Sequence, residues 1–322
     1  MNRSTAGRRR PEDNVAPGTT RTGSVEGPLG TRRVLLERYE VGEVIGCGAT
    51  AVVHRGRDLR TGRSVAIKVL HENLATDPRF HARFRREAQA VTGLRHPEIV
   101  VVHDAGYEHS TDASGVPLRR PFLVMELITG RSLRDVLERG LPTLAEALDY
   151  QLGVLSALEA SHRAGIVHRD IKPANVMVTA QGAVKVVDFG VARSSHDPAA
   201  TLTLPGELLG TPSYLAPEQL RGYAADARSD LYSAGCLLHH LLSGRPPFVG
   251  DDPVSVAYQH VHEEPARVDT GVAALDSVLA RALAKERGDR FQDARSFRVA
   301  LLRATRGGTV RPGPDAVTST AC

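Results

Sequence analysis

His168-Arg169-Asp170-Ile171-Lys172-Pro173-Ala174-Asn175 is followed a dozen residues later by Asp188-Phe189-Gly190. Together they offer a candidate base (Asp170), a phosphate-binding cation (Lys172) and two oxygen ligands for a hard metal ion (Asn175 and Asp188). Such a set could move a phosphoryl group from a nucleotide to a hydroxyl. That reaction depends on positioning and charge neutralisation more than on covalent help. Pro173 prevents regular helix, so the first stretch reads as a loop presenting several side chains to one side. Taken singly, each acid has a plainer reading as a turn former or cap. Their order and spacing favour the chemical one.

Three features upstream fit the same chemistry. Gly46-Cys47-Gly48-Ala49-Thr50-Ala51 joins two expected strands, and glycines let backbone N–H groups approach a phosphate. Alone it is an ordinary turn; no helix follows it and it lacks a Walker Lys-Ser/Thr. Val65-Ala66-Ile67-Lys68 places one cation inside an apolar strand, with an outward-facing lysine as the alternative. Glu87 sits among Phe84, Ala88 and Val91, where it could pair with a half-buried lysine or simply face solvent.

Short β-rich segments are expected at Tyr39–Ile45, Ala51–Asp58 and Ser64–Leu70. The period then changes: Phe80, Phe84, Ala88 and Val91 recur at helical spacing after Asp77-Pro78. Val100–Tyr107 and Pro121–Leu127 read as strands joined by a polar loop near 108–120. Beyond residue 130 the chain reads as mostly helical. Ser132 and Asp135 form a capping box, and Leu144, Leu148, Leu152, Leu155 and Leu158 line one face of a long helix ended by Gly165. Short strands are expected at Ile166–Val167, Val176–Val178 and Val184–Val187. Helices follow at Ala216–Leu220, Ala227–Leu242, Pro253–His262, Val272–Ala284 and Ala294–Arg303. This order implies an α+β fold: a small β-rich lobe with one main helix, over about 38–127, and a larger helical lobe, about 128–304. The cleft between them would hold the motifs.

Residues 1–37 and 305–322 are rich in Arg, Gly, Thr, Ser and Pro without periodicity, and read as disordered tails. Residues 1–37 carry seven Arg against four acids, part of an overall net charge of +4. A solvated tail is the plain reading; an acidic partner or an anionic membrane surface is the other. Three distant cysteines make no disulfide framework, which points to a reducing cytoplasm. No apolar run reaches the roughly 18–20 residues needed to cross a bilayer.

Over about residues 39–303 the chain resembles the protein kinases, and specifically the bacterial, eukaryotic-like (Hanks-type) serine/threonine group. Lys172 and the segment Gly210-Thr211-Pro212-Ser213-Tyr214-Leu215-Ala216-Pro217-Glu218 are similar to the serine/threonine branch. Asp230-Leu231-Tyr232-Ser233-Ala234-Gly235 is similar to the bacterial group. The resemblance implies a bilobal kinase fold and ATP- and Mg²⁺-dependent transfer to Ser/Thr hydroxyls of protein substrates, with Mn²⁺ as a substitute metal. It implies that Gly46 and Gly48 cover the phosphates and that Lys68, paired with Glu87, holds the α/β-phosphates. Asn175 and Asp188 would bind the metal. Asp170 would orient the incoming hydroxyl, and Lys172 would neutralise the γ-phosphoryl with Thr211 nearby. Met125 would back the adenine pocket, Glu126 and Ile128 would bind the adenine edge, and Val53, Ala66 and Met177 would pack on its faces. Val91, Val102, His168 and Phe189 would stack in a column, Asp230 would brace the catalytic loop, and Glu218 would pair with Arg290. Activation by autophosphorylation is expected at Thr203, then Thr201, with Arg169 receiving the phosphate. No nucleic-acid partner is expected; a homodimer through the small lobe follows by family analogy. One departure is Ala51, where the family pattern has a third glycine. A catalytically silent nucleotide-binding scaffold and a small-molecule phosphotransferase are the alternatives.

Overall fold

In the computed structural model the described residues are 33–48, 50–71, 78–111, 115, 117–189 and 212–306, all within one compact unit beginning at Arg33. Six antiparallel strands form the first sheet: β1 (Val34–Leu35), β2 (Tyr39–Cys47), β3 (Ala51–Asp58), β4 (Ser64–Leu70), β5 (Val102–Thr111) and β6 (Pro117–Glu126), ordered β1-β2-β3-β4-β6-β5. Helix α1 (Pro78–Thr92) packs on one face through Phe80, Phe84, Ala88 and Val91, all buried, as the helical spacing requires. The opposite face carries its own apolar cluster of Leu35, Tyr39, Val65, Ile67, Val69, Phe122 and Val124. Strand β4 therefore lies between two apolar layers, and its alternation places Lys68 on the α1 side with Ala66 and Leu70.

Two expectations change here. The sheet begins at Val34, so residues 33–37 belong to the folded unit and not to a tail. Arg33 is fixed by paired hydrogen bonds to Glu108, both 2.7 Å. The loop expected near 108–120 is largely hairpin, with β5 and β6 paired from Tyr107↔Pro121 to Thr111↔Pro117. Its polar residues hid it: Glu108 reads as loop in sequence, yet it anchors Arg33 and Arg120.

The helical part holds α2 (Leu133–Arg139), α3 (Leu144–Arg163), α4 (Pro217–Leu220), α5 (Ala227–Ser243), α6 (Pro253–His262), α7 (Ala273–Ala282) and α8 (Ala294–Arg306). A second antiparallel sheet, β7 (Gly130–Ser132), β8 (Val176–Thr179) and β9 (Val184–Val186), lies at the cleft. The capping box of Ser132 and Asp135 starts α2, and Gly165, at φ 75°, follows the end of α3. The buried face of α3 differs from the leucine stripe expected. Ala147, Gln151, Val154 and Ser161 are buried with Leu148, Leu155 and Leu158, while Leu144 is exposed. The face is set by contacts with α5, α8 and β9. Val184 approaches so closely that a Cβ on Gly153 would meet it at 2.8 Å. Ile166–Val167 is not a strand. The two parts join where Ile99 bridges Val186, with Val100 N–H donating to Val186 and Val186 N–H to Glu98.

Candidate active site

Asp230, on α5, organises the loop that carries most of the candidate residues. Its buried carboxylate accepts from the backbone N–H groups of His168 and Arg169, both at 2.7 Å, and bonds His162 Nε2 at 2.7 Å. The loop needs that support, because Arg169 adopts φ 68°, a conformation that costs a non-glycine residue of order 1–3 kcal/mol. His168 is fully buried, and burial pushes its pKa down. Its Nδ1 accepts from Asp170 N–H (3.2 Å), so Nε2 carries the hydrogen and donates to the Val187 carbonyl at 2.9 Å. One neutral imidazole thus ties the Asp170 loop to the strand that presents Asp188.

The candidate residues converge. Asn175 Nδ2 donates to the Asp170 carbonyl (2.8 Å) and to Asp170 Oδ2 (3.0 Å), and Lys172 Nζ lies 2.9 Å from Asp170 Oδ2. Val187 N–H donates to the Asn175 carbonyl, setting Asp188 beside this group. Asp188, also left-handed at φ 61°, meets Lys68 Nζ at 2.8 Å across the cleft. Burial alone would raise the Asp188 carboxyl; Lys68, with smaller help from Lys172, overcomes it and holds Asp188 below the ordinary carboxylate range.

The expected pairing of Lys68 with Glu87 is not formed. Glu87 Oε1 takes Arg169 Nη1 at 3.0 Å, and Lys68 is on Asp188. The reason is geometric: Glu87 on α1 lies within reach of Arg169 and Lys68 within reach of Asp188. Burial pushes the Glu87 carboxyl up, and Arg169 works against that rise.

Val91, Val102, His168 and Phe189 are all buried, and the rings of His168 and Phe189 lie 4.7 Å apart. Met125 pairs with Ala66 across β4 and β6, both largely buried, with Val53 and Met177 part-exposed at the cleft. The Glu126 N–H donates to the Val101 carbonyl. Its carboxylate anchors the segment to Val101 N–H (2.9 Å) and Lys185 Nζ (2.7 Å), and Ile128 packs two residues beyond. A Cβ on Gly46 or Gly48 would meet protein atoms no closer than 3.7 Å, so packing does not require either glycine. Ala51, the departure from pattern, turns its side chain into the core at 3% exposure. Glu218 takes Arg290 in a buried two-point contact at 2.9 and 2.8 Å. Thr201, Thr203 and Thr211 lie outside the described residues.

Sequence reasoning missed His162, Lys185 and Gln219. His162 braces Asp230, Lys185 anchors Glu126, and Gln219 donates to the Arg169 carbonyl at 3.3 Å. Each makes its contact across 50 or more residues, and no local spacing marks it.

A metal ion would find only part of its ligand shell in these residues. Among the described residues no group of three or more His, Cys, Asp or Glu could hold an ion. Asn175 and Asp188 offer oxygen ligands, and Mg²⁺ commonly completes such a shell with phosphate oxygens and water.

A strand-rich lobe, a helical lobe and this cluster at their junction define the phosphotransferase class to which protein kinases belong. The protein kinase domain family matches residues 39–295, and the chain belongs to that family. It is 51% identical over 83% of its length to a probable serine/threonine-protein kinase of Streptomyces coelicolor, of which it covers 40%. It is 49% identical over 85% of its length to serine/threonine-protein kinase PknB of Mycobacterium tuberculosis, of which it covers 44%. The chain thus spans less than half the length of these curated relatives. The crystal structure of the Mycobacterium tuberculosis PknI kinase domain superposes with a TM-score of 0.65 at 28% identity, covering 86% of this chain and 99% of that one. Among the described residues no helix is long and apolar enough to cross a membrane.

Proposed function

We propose that the protein transfers the γ-phosphoryl group of ATP to serine or threonine hydroxyls of protein substrates. The observation that carries this reading is the convergence of Asp170, Lys172, Asn175, Asp188 and Lys68 through contacts of 2.8–3.0 Å. Gly46 and Gly48 cover the phosphates, Lys68 holds the α/β-phosphates, and Lys172 neutralises charge on the moving group. Asp170 orients the hydroxyl and takes its proton; held by Asn175 and Lys172, it is already fixed in place. Asn175 and Asp188 would hold Mg²⁺, or Mn²⁺ in its stead, and the metal would supply charge neutralisation on the phosphates. Met125, Val53, Ala66 and Met177 enclose the adenine, with Glu126 and Ile128 at its edge.

Activation follows from the Glu87–Arg169 contact. A phosphate on Thr203, or secondarily Thr201, draws Arg169 away through charge-assisted bonds. Glu87 is then released to Lys68, which leaves Asp188 free of Lys68, where it would hold the metal. Retention of Lys68, Asp170, Asn175 and Asp188 argues against a silent scaffold. The same reading places the protein in the cytoplasm, where ATP is available, and includes a homodimer through the small lobe. Incubating the purified protein with ATP, Mg²⁺ and a basic protein substrate tests it, with mass spectrometry of residues 190–211. Transfer to Ser/Thr and phosphate on Thr203 are expected; no transfer at all refutes the reading. Transfer with an unmodified segment refutes the activation step alone.

A further inference from the structure

Lys185 lies in β9, directly opposite Met177 of β8. Paired residues of antiparallel strands project to one face, so Lys185 starts from the face on which Met177 stands part-exposed at the cleft. Its ammonium then leaves the small sheet. Lys185 Nζ donates to Glu126 Oε1 at 2.7 Å and to the Ile99 carbonyl at 3.4 Å. The same Glu126 oxygen accepts from Val101 N–H at 2.9 Å, and Glu126 N–H donates to the Val101 carbonyl at 2.9 Å. One ammonium thus closes a ring of contacts between the end of β6, the 99–101 segment and β9.

What stands on each side of that ring gives it a consequence. Glu126 ends β6 and leads to Ile128, the pair proposed to meet the adenine edge, while Met177 is proposed to pack on an adenine face. Asp188 follows β9, whose Val186 is fixed separately by backbone bonds with Glu98 and Val100. The Lys185 side chain is 19% exposed and that of Glu126 29%, so the pair is shielded enough to hold one geometry. No other ion pair reaches the Glu126 carboxylate among the described residues. Without Lys185, that carboxylate keeps only the Val101 N–H and can turn to water.

We infer that Lys185 is a positioning residue for the base of the nucleotide: acting through Glu126, it presets the 126–128 backbone for adenine and leaves the phosphates to other residues. The inference rests on the proposed protein-kinase activity and adds a residue to its nucleotide site. A preset edge costs less to order on binding, so losing it weakens nucleotide affinity more than the chemical step.

Steady-state kinetics of Lys185→Met with a basic protein substrate tests this. KM for ATP is expected to rise about three- to tenfold, the scale of one hydrogen bond to a charged group at a part-exposed site, with a smaller change in kcat. Competitive inhibition by adenosine should weaken by a similar factor, and inhibition by tripolyphosphate, which carries no base, should not. Lys185→Arg keeps the charge and should stay nearer wild type. In a Glu126→Gln background, which retains an acceptor for Val101 N–H, Lys185→Met should add less than about twofold, because the two residues act as one unit. Should Lys185→Met fail to give a cooperative melt, Lys185→Gln takes its place. An unchanged KM for ATP, equal weakening of adenosine and tripolyphosphate, or an equal rise in both backgrounds overturns the inference and leaves the kinase reading standing. A wild type that transfers no phosphate overturns both.

Discussion

Glu87 Oε1 lies 3.0 Å from Arg169 Nη1, joining α1 to the catalytic loop across 82 residues of sequence. This contact and the Lys68–Asp188 pair are two halves of one arrangement. While Arg169 holds Glu87, Lys68 has no acid on α1, and it takes the carboxylate proposed to bind the metal. In the proposed activation step, freeing one pair frees the other.

Arg169→Ala removes the competitor for Glu87. The unphosphorylated variant is expected to match or exceed unphosphorylated wild type, and to gain little from preincubation with ATP. Wild type should gain at least tenfold, since a population shift of that size needs about 1.4 kcal/mol of differential binding. Initial rates of phosphatase-treated and ATP-preincubated proteins measure it. Equal gains in both proteins would remove Arg169 from the switch.

Lys68→Met and Asp188→Asn each remove a charge from the proposed phosphate site. Transfer is expected to fall by roughly 10²–10⁴-fold, the scale of a lost electrostatic contact in a preorganised site. Folding should survive, because each partner stands at the cleft and can reach water. Steady-state kinetics beside a thermal melt separates the effects. Near-normal turnover in Asp188→Asn would contradict the proposed role.

Asp230→Asn keeps one good acceptor where three donors converge. Its amide NH₂ must face a donor, which leaves a buried hydrogen bond unmade at about 1–3 kcal/mol. The positive φ of Arg169 then loses its brace. The expected result is a lower melting temperature and a kcat loss larger than the change in KM for ATP.

Glu218 gives the pH prediction. Burial would raise its carboxyl, but hydrogen bonds and charge from Arg290, with Ser229, hold it below the ordinary range. A depressed folded-state pKa stabilises the fold above the unfolded value and loses that stabilisation as pH falls through the folded value. The wild-type melting temperature should therefore drop below about pH 4.5 more steeply than that of Glu218→Gln. Near neutrality the variant should be less stable by about 3–5 kcal/mol, since Arg290 is left buried without its anion. Parallel pH-dependence in the two proteins would assign the acid transition elsewhere.

Some of this was legible in the residues and some was not, for identifiable reasons. The apolar spacing of Phe80, Phe84, Ala88 and Val91 fixed the face of α1, because helical period and burial leave one solution. The leucines of α3 misled, because Gly153 lets β9 approach and turns another face inward. The polar β5–β6 hairpin was hidden because Glu108 owes its strand position to Arg33, 75 residues away.

Local chemistry settled the inventory: which loop carries acids, which strand carries a lysine, where glycines leave room for phosphate. Residue type and spacing suffice for that, since each motif is contiguous. Partnership is another matter. Lys68 could reach either Glu87 or Asp188, and Arg169 could await a phosphate or hold Glu87. Folding chose Lys68–Asp188 and Arg169–Glu87, because charge pairing depends on three-dimensional distance and on how burial changes the cost of leaving each acid alone.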